Sequence, residues 1–215
     1  MRHILVTNSK GGCGKSTIAT NLAAYYADEG YATVLADYDP QGSALSWLDE
    51  RPETAAPITG LAGYDDGLRH LPRNADVLII DSAAGAGSHG PELTELVRHA
   101  ETILVPVLPS PIDIRAATDF IAELLDRGKV ARRQAKVGVV ANRVKENTLI
   151  FEELDEYLEK LKVPYLAALR EAQNYIRAYQ RGLGIHELPP YLAWPDWEQW
   201  DPIIEWLDSR RSRPR

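Results

Sequence analysis

Hydrophobic and polar positions change period several times along this chain. Short apolar runs rich in β-branched residues, ILVT (4–7), ATVLAD (32–37), ADVLIID (75–81), TILVPV (102–107) and KVGVVAN (136–142), are nearly unbroken. Runs of this kind read as strands buried on both faces. Between them the spacing turns helical. The stretch from Thr17 to Glu29 ends at Gly30, a residue suited to a helix C-terminus. Further helices are predicted over 91–99, 113–127, 148–161, 170–181 and 196–208. Strands alternating with helices imply an α/β fold, a mostly parallel twisted sheet with helices on both faces. Such sheets bind ligands beyond the carboxyl ends of their strands. The polar residues that stand out, 10–17, 37–41, Asp81 and Asn142, all fall at those ends. No repeat or linker interrupts the pattern, so the 215 residues are expected to form one domain over 1–215, with a loosely held tail over 209–215.

Composition narrows this picture without changing it. No apolar run reaches the roughly 18 residues that a bilayer span needs, and the start, MRHILVTNSK, lacks a signal-peptide core, so a soluble cytoplasmic protein is expected. The one cysteine, Cys13, excludes an intrachain disulfide and a cysteine-based zinc site. A formal charge of −7 argues against coating nucleic acid with the whole surface, but leaves room for a local basic patch such as the terminal RRSRPR.

The densest chemistry lies in NSKGGCGKST (8–17), between a predicted strand and a predicted helix. Gly11, Gly12 and Gly14 let the backbone turn tightly and bring N–H groups close to phosphate oxygens. The helix starting near Lys15 adds its positive end. Lys15 is placed to reach β- and γ-phosphates, Ser16 to put its hydroxyl on Mg²⁺, and Thr17 to touch the α-phosphate. The usual phosphate-loop pattern has a glycine where this chain has Ser9, and a second lysine, Lys10, stands beside it. Asp37 and Asp39, in DYDPQGSA, sit two residues apart in an extended segment and are expected to face the same way, one toward a metal shell and one toward an attacking water. Asp81 closes a hydrophobic strand, as a Walker-B carboxylate does, and is expected to bind Mg²⁺ directly or through water. The small-residue stretch after it, SAAGAGSHG, suits a loop that changes shape when a γ-phosphate leaves.

Together KGGCGKST, DYDPQGSA, VLIIDSAAG and VLPSPIDIRAA resemble the ParA/MinD group of deviant-Walker P-loop ATPases, over about residues 3–185. The likeness is greatest to small ParA-type members, which include plasmid partition ATPases and McdA-type ATPases that space carboxysomes. The resemblance gives Lys10 a role. It becomes the signature lysine that reaches across a homodimer to the partner's nucleotide, while Lys15 acts within its own subunit. It likewise implies that Asp39 helps position the attacking water, that Asn142 contacts adenine, and that Lys10 to Thr17, Cys13 included, surround ATP held with Mg²⁺. It implies partners too: a second copy, non-specific DNA, and a cargo adaptor that stimulates hydrolysis. Many relatives carry Asp-x-Pro-Pro after the Walker-B strand, whereas this chain has Asp81-Ser82-Ala83-Ala84, which leaves the timing of the switch open.

MinD relatives bind membrane through a C-terminal amphipathic helix. Here DWEQWDPIIEWLDS puts Trp197, Trp200, Ile204 and Leu207 on one face, opposite Glu198, Asp201, Glu205 and Asp208. Acidic residues suit anionic lipid poorly, so the stripe is read as core packing. In LREAQNYIRAYQRG, Arg170, Arg177 and Arg181 are expected on one side of a helix, as a phosphate-contacting patch for DNA. Two alternatives to the positioning ATPase remain, a MinD-like membrane regulator and a small-molecule ligase of related fold. Iron–sulfur members of the group need a cysteine pair and are excluded by the single Cys13.

Overall fold

A computed structural model describes residues 1–83, 91–126, 130, 132 and 134–214. Its strands are β1 (Arg2–Val6), β2 (Thr33–Asp37), β3 (Ile58–Ala62), β4 (Val77–Asp81), β5 (Thr102–Val107), β6 (Lys136–Val144) and β7 (Tyr165–Arg170). The α-helices among the described residues are α1 (Lys15–Asp28), α2 (Ser43–Asp49), α3 (Gly63–Asp66), α4 (Pro91–His99), α5 (Pro111–Asp126), α6 (Leu149–Glu159), α7 (Gln173–Tyr179) and α8 (Pro190–Asp208). One seven-stranded sheet runs β3-β2-β4-β1-β5-β6-β7, and every pairing is parallel. All strand carboxyl ends therefore open on the same edge.

The period-2 alternation of the strands divides the core between two faces. Leu5, Leu78 and Ile80 point to one side, under Leu96, Phe120, Leu124 and Leu154 of α4, α5 and α6. Ile4, Val6, Val77 and Ile79 point to the other, under Ile18, Leu22, Trp47, Trp200 and Leu207 of α1, α2 and α8. Central strands with both faces covered need the unbroken apolar runs seen in the sequence.

Several elements depart from the sequence expectation. The strands β3 and β7 lie at the two sheet edges and are largely half-exposed, so neither carries such a run. Gly60 in β3 also weakens the strand pattern. A Cβ there would stand 2.8 Å from Leu48 Cδ2 of α2, so that leucine would have to shift to admit one. The helix expected from 170 starts only at Gln173, and Arg170 ends β7 instead. The last helix begins at Pro190 and continues through Pro195 and Pro202, two residues that ordinarily mark a boundary. Its tryptophan stripe packs inward as expected, with Trp200, Ile204 and Leu207 buried and Trp197 partly so. Among the described residues no helix is long and apolar enough to cross a membrane.

The C-terminal segment expected to trail over 209–215 is tied down as far as Ser212. A 3₁₀ turn, Arg210–Ser212, follows α8, and Ser212 is fully buried. Arg2 donates to Ser212 Oγ and to Thr102 Oγ1, each at 2.7 Å, and Thr102 Oγ1 donates to the Ser212 carbonyl at 2.6 Å. Two strand starts thus hold the tail. Losing one side of a buried hydrogen-bonded group costs about 1–3 kcal/mol. At about 2–4 °C per kcal/mol for a chain of this size, Ser212→Ala should lower the melting temperature by several degrees, read by circular dichroism. A loose tail would leave it unmoved.

Candidate functional site

The site grows from the loop between β1 and α1. Asn8 is buried, and its Nδ2 donates to the carbonyl of Pro106 in β5 at 2.6 Å, while its Oδ1 accepts from Lys10 N at 3.2 Å. At the far end of the loop Asn142 Nδ2, from β6, donates to Cys13 O at 2.8 Å. Two neighbouring strands therefore clamp the loop. Gly12 and Gly14 take φ of 74° and 91°, in the left-handed region. A Cβ on Gly14 would also lie 2.1 Å from Asn142 Nδ2, so this position excludes any side chain twice over. Cys13 is fully buried, its Sγ donates to Lys10 O, and burial pushes its thiol pKa up. It fills space and stays neutral.

The two lysines stand differently. Lys15 is buried, and its Nζ donates to the backbone carbonyl of Lys10 at 3.0 Å, inside the loop. Lys10 is partly buried, and its ammonium has no partner among the described residues.

Beneath the loop, β2 and β4 end in register with Asp37 opposite Asp81, both fully buried. The sequence expects both at a metal, and the structure separates them. Asp37 Oδ1 accepts from Asp39 N at 2.9 Å, and its Oδ2 accepts from Ala44 N and Leu45 N at 2.9 and 3.2 Å. It braces the start of α2 and the turn that carries Asp39, so its oxygens are largely committed to backbone. The strand also stops at Asp37, and Asp39 sits in a turn with its Oδ1 on Gln41 N at 3.0 Å, rather than continuing an extended segment. Asp81 has neither oxygen hydrogen-bonded among the described residues. Desolvation raises its pKa to about 7; the nearby Ser16 hydroxyl opposes the rise and Asp37 adds to it.

An orphaned, buried carboxylate beside a serine hydroxyl fits a Mg²⁺ ion or its water shell. Among the described residues no group of three or more His, Cys, Asp or Glu side chains is placed to hold a metal. A hard cation here would draw its other ligands from phosphate and water, as Mg²⁺ commonly does.

Beside the loop opens a cavity of about 430 Å³, lined by Gly12, Gly14, Thr17 and Asn142 on one side and by Arg143, Arg170 and Tyr175 on the other. Sequence reasoning missed Arg143 and Tyr175; the position of Arg143, directly after Asn142 at the end of an apolar run, was the available signal. Arg170 lines this wall. Its Nε donates at 2.6 Å to Asp196, which is fully buried and also accepts from Asn174 at 2.7 Å. Arg177 lies on α7 with its guanidinium on Asn174 Oδ1 at 3.2 Å, and Arg181 is exposed just past that helix. The three arginines expected on one helix face are thus divided, because the chain leaves β7 before the helix begins. The small-residue loop expected to act as a switch lies, from 84 to 90, outside the described residues.

A glycine loop running into a helix, a lysine within it, and a lone carboxylate at the next strand end define a P-loop nucleotide-binding protein. The chain belongs to the CobQ/CobB/MinD/ParA nucleotide-binding domain family, whose model matches residues 4–185. The ParA and MinD proteins of that family are ATPases involved in positioning or partitioning. The chain is 30% identical over 193 residues to maintenance of carboxysome distribution protein A of Halothiobacillus neapolitanus, across 86% of this chain and 87% of that protein. It shares its fold with an ATP complex of a McdA variant from Cyanothece, at TM-score 0.70 and 17% identity over 95% of this chain and 96% of that one. The same holds for MinD of Aquifex aeolicus, at TM-score 0.73 and 19% identity over the full length of both chains.

The Asp81 environment has a measurable consequence. Its pKa rises from 3.8 to about 7, so the folded state holds a proton that the unfolded chain has lost between those values. Stability therefore falls as pH rises through this window, and the whole cost is present above about pH 7. Without nucleotide or metal, Asp81→Asn should raise the melting temperature at pH 8 by several degrees and leave it little changed at pH 4. With MgATP the order should reverse, because wild type alone gains the cation. Thermal denaturation at both pH values, with and without MgATP, reads this directly.

Proposed function

We propose that this chain is an ATPase that pairs around two MgATP molecules. While paired it sits on DNA, and an adaptor bound to an intracellular cargo stimulates hydrolysis and releases it. Repeated release and rebinding would move or space that cargo. The observation that carries this reading is the Lys10 ammonium, without a partner among the described residues, in a loop whose other lysine already points inward. ATP brings roughly three to four negative charges, and two such clusters meet face to face only if cations are shared between them. Lys10 would supply that shared cation to the opposite molecule. Lys15 and the loop N–H groups would hold phosphate within the subunit, with Thr17 near the α-phosphate. Ser16 and Asp81 would hold Mg²⁺, which supplies charge neutralisation at the phosphates when bound. Asp37 fixes the turn that presents Asp39 toward the attacking water. Asn142 clamps the loop and borders the cavity where an adenine would lie.

Relatives named for carboxysome distribution and for chromosome partitioning support positioning as the outcome, and leave carboxysome-like compartments, plasmids and chromosomes as candidate cargoes. DNA is favoured over a membrane as the supporting surface, because the tryptophan stripe that a membrane helix would insert is packed into the core. Arg177 and Arg181, with Arg170 now in the nucleotide cavity, are the part of the arginine segment left for DNA.

The proposal separates pairing from chemistry. Lys10→Ala should keep ATP binding through Lys15 but weaken ATP-dependent pairing at least about 30-fold, the lower end expected for deleting one side of a buried charge contact. Analytical ultracentrifugation with MgATP measures it, and pairing at wild-type strength would refute the scheme. Asp39→Ala should still pair, while adaptor-free phosphate release, already slow in wild type, drops by about 10²-fold or more.

A further inference from the structure

The segment that follows β7 walls the cavity beside the phosphate loop and also holds α2. Tyr175, Ile176 and Tyr179 of α7 line the cavity. From Tyr179 onward the chain is bonded to Ser43, Trp47 and Arg51, which stand four residues apart and so share one face of α2 and the turn after it. Tyr179 Oη donates to the Ser43 carbonyl at 2.9 Å. Trp47 Nε1 donates to the Leu183 carbonyl at 3.2 Å. Arg51 Nη1 donates to the Gly182 carbonyl at 2.9 Å, and its Nη2 pairs at 2.6 Å with Glu187, which ends the 3₁₀ turn Ile185–Glu187. The fit is tight at Gly182, which has φ of 62° and where a Cβ would stand 2.3 Å from Arg51 Cα.

These contacts serve different parts of α2. Trp47 is fully buried and the side chains of Arg51 and Glu187 are nearly so, and they hold the body of the helix and its far end. Tyr179 is exposed at the cavity, and its contact falls on the first residue of α2. That residue adjoins the chemistry. Ala44 N and Leu45 N donate to Asp37 Oδ2, Asp39 N donates to Asp37 Oδ1, and Gly42 N donates to the Asp39 carbonyl at 2.8 Å. The Asp39 turn and the start of α2 are therefore one hydrogen-bonded unit, and Tyr179 Oη reaches it from the cavity wall. Burial pushes the phenol pKa up, and Asp37 and Asp81 add to the rise, so the hydroxyl keeps its proton and stays a donor.

We propose that Tyr179 is a positioning residue for hydrolysis: its hydroxyl fixes the start of α2, and through it the turn that presents Asp39 to the attacking water. It acts through Asp39 and touches no reacting atom. Removing the hydroxyl leaves the cavity wall in place, because the ring forms it. It also leaves α2 folded, because the Trp47 and Arg51 contacts remain. What loosens is the orientation of the Asp39 turn, and rate is sensitive to small misplacements of a group that orients a reactant. One hydrogen bond thus ties the wall of the cavity to the turn that carries the catalytic carboxylate.

The inference rests on the proposed hydrolysis of ATP and the role given there to Asp39, but not on DNA, adaptor or cargo. Its test compares the full chain with Tyr179→Phe in two measurements. In phosphate release followed over hours across a range of MgATP concentrations, kcat should fall about 3- to 10-fold, as for the loss of one neutral hydrogen bond, while KM stays within about twofold. In amide hydrogen exchange without nucleotide, read by NMR, the amides of Gln41, Gly42, Ala44 and Leu45 should exchange about 3- to 10-fold faster, and those of Glu50 and Arg51 at an unchanged rate. The parted groups can both turn to water, so the melting temperature should drop by no more than about 2 °C. An unchanged kcat overturns the inference. So does a lower kcat with unchanged exchange at the turn, which would put the hydroxyl on the reaction directly. A loss carried by KM overturns it as well, because Tyr179 would then serve binding and not orientation. These three results leave the proposed function standing. A full chain that releases no phosphate from MgATP overturns the proposed function itself, and the catalytic part of the inference with it.

Discussion

Two carboxylates, Asp37 and Asp81, end adjacent strands in register and lie fully buried beneath the phosphate loop. Most of the site follows from that placement. Burying a carboxylate in a desolvated place is costly unless something compensates it. Asp37 is compensated by three backbone N–H groups, and in accepting them it fixes α2 and the Asp39 turn. Asp81 has no such partner, and its pKa is driven up. One carboxylate thus serves the framework and the other is left without a hydrogen bond among the described residues, although both sit in the same kind of position at a strand end.

The loop above them is complementary in charge and braced in shape. Asn8 reaches β5 and Asn142 reaches β6, so the strands on the far side of β1 hold both ends of the glycine turn. Lys15 is turned inward onto the backbone of Lys10, and the Lys10 ammonium has no partner among the described residues. A protein that needs only to bind nucleotide has little use for a second, uncommitted cation at that mouth. One that must bring two triphosphates together does. Under the proposed function the arrangement is half of a site whose other half arrives with another molecule.

Charge is segregated along the strand axis as well. The phosphate loop and the two strand-end carboxylates occupy the carboxyl edge of the sheet, while the arginine turn occupies the amino edge, fixed there by Arg2, the second residue. Parallel topology makes such separation possible, because no strand returns its end to the opposite edge.

The amino-acid sequence by itself settled the glycine loop, the central strands and the strand-end carboxylates. Those features are local. A strand buried on both faces must be apolar throughout, and a loop that wraps phosphate must have glycine where φ is positive. What only the tertiary structure decided depends on contacts between distant segments. Edge strands β3 and β7 are half-exposed and lack a distinctive run, so Arg170 looked helical until β6 was seen to pair with β7. Asp37 and Asp81 looked equivalent until the N–H groups of α2 were seen to claim only one. The tail looked loose because its anchors, Arg2 and Thr102, are more than a hundred residues away along the chain. Burial and hydrogen-bond partnership are properties of the folded neighbourhood, and residue type and spacing carry them only where the neighbourhood is itself local.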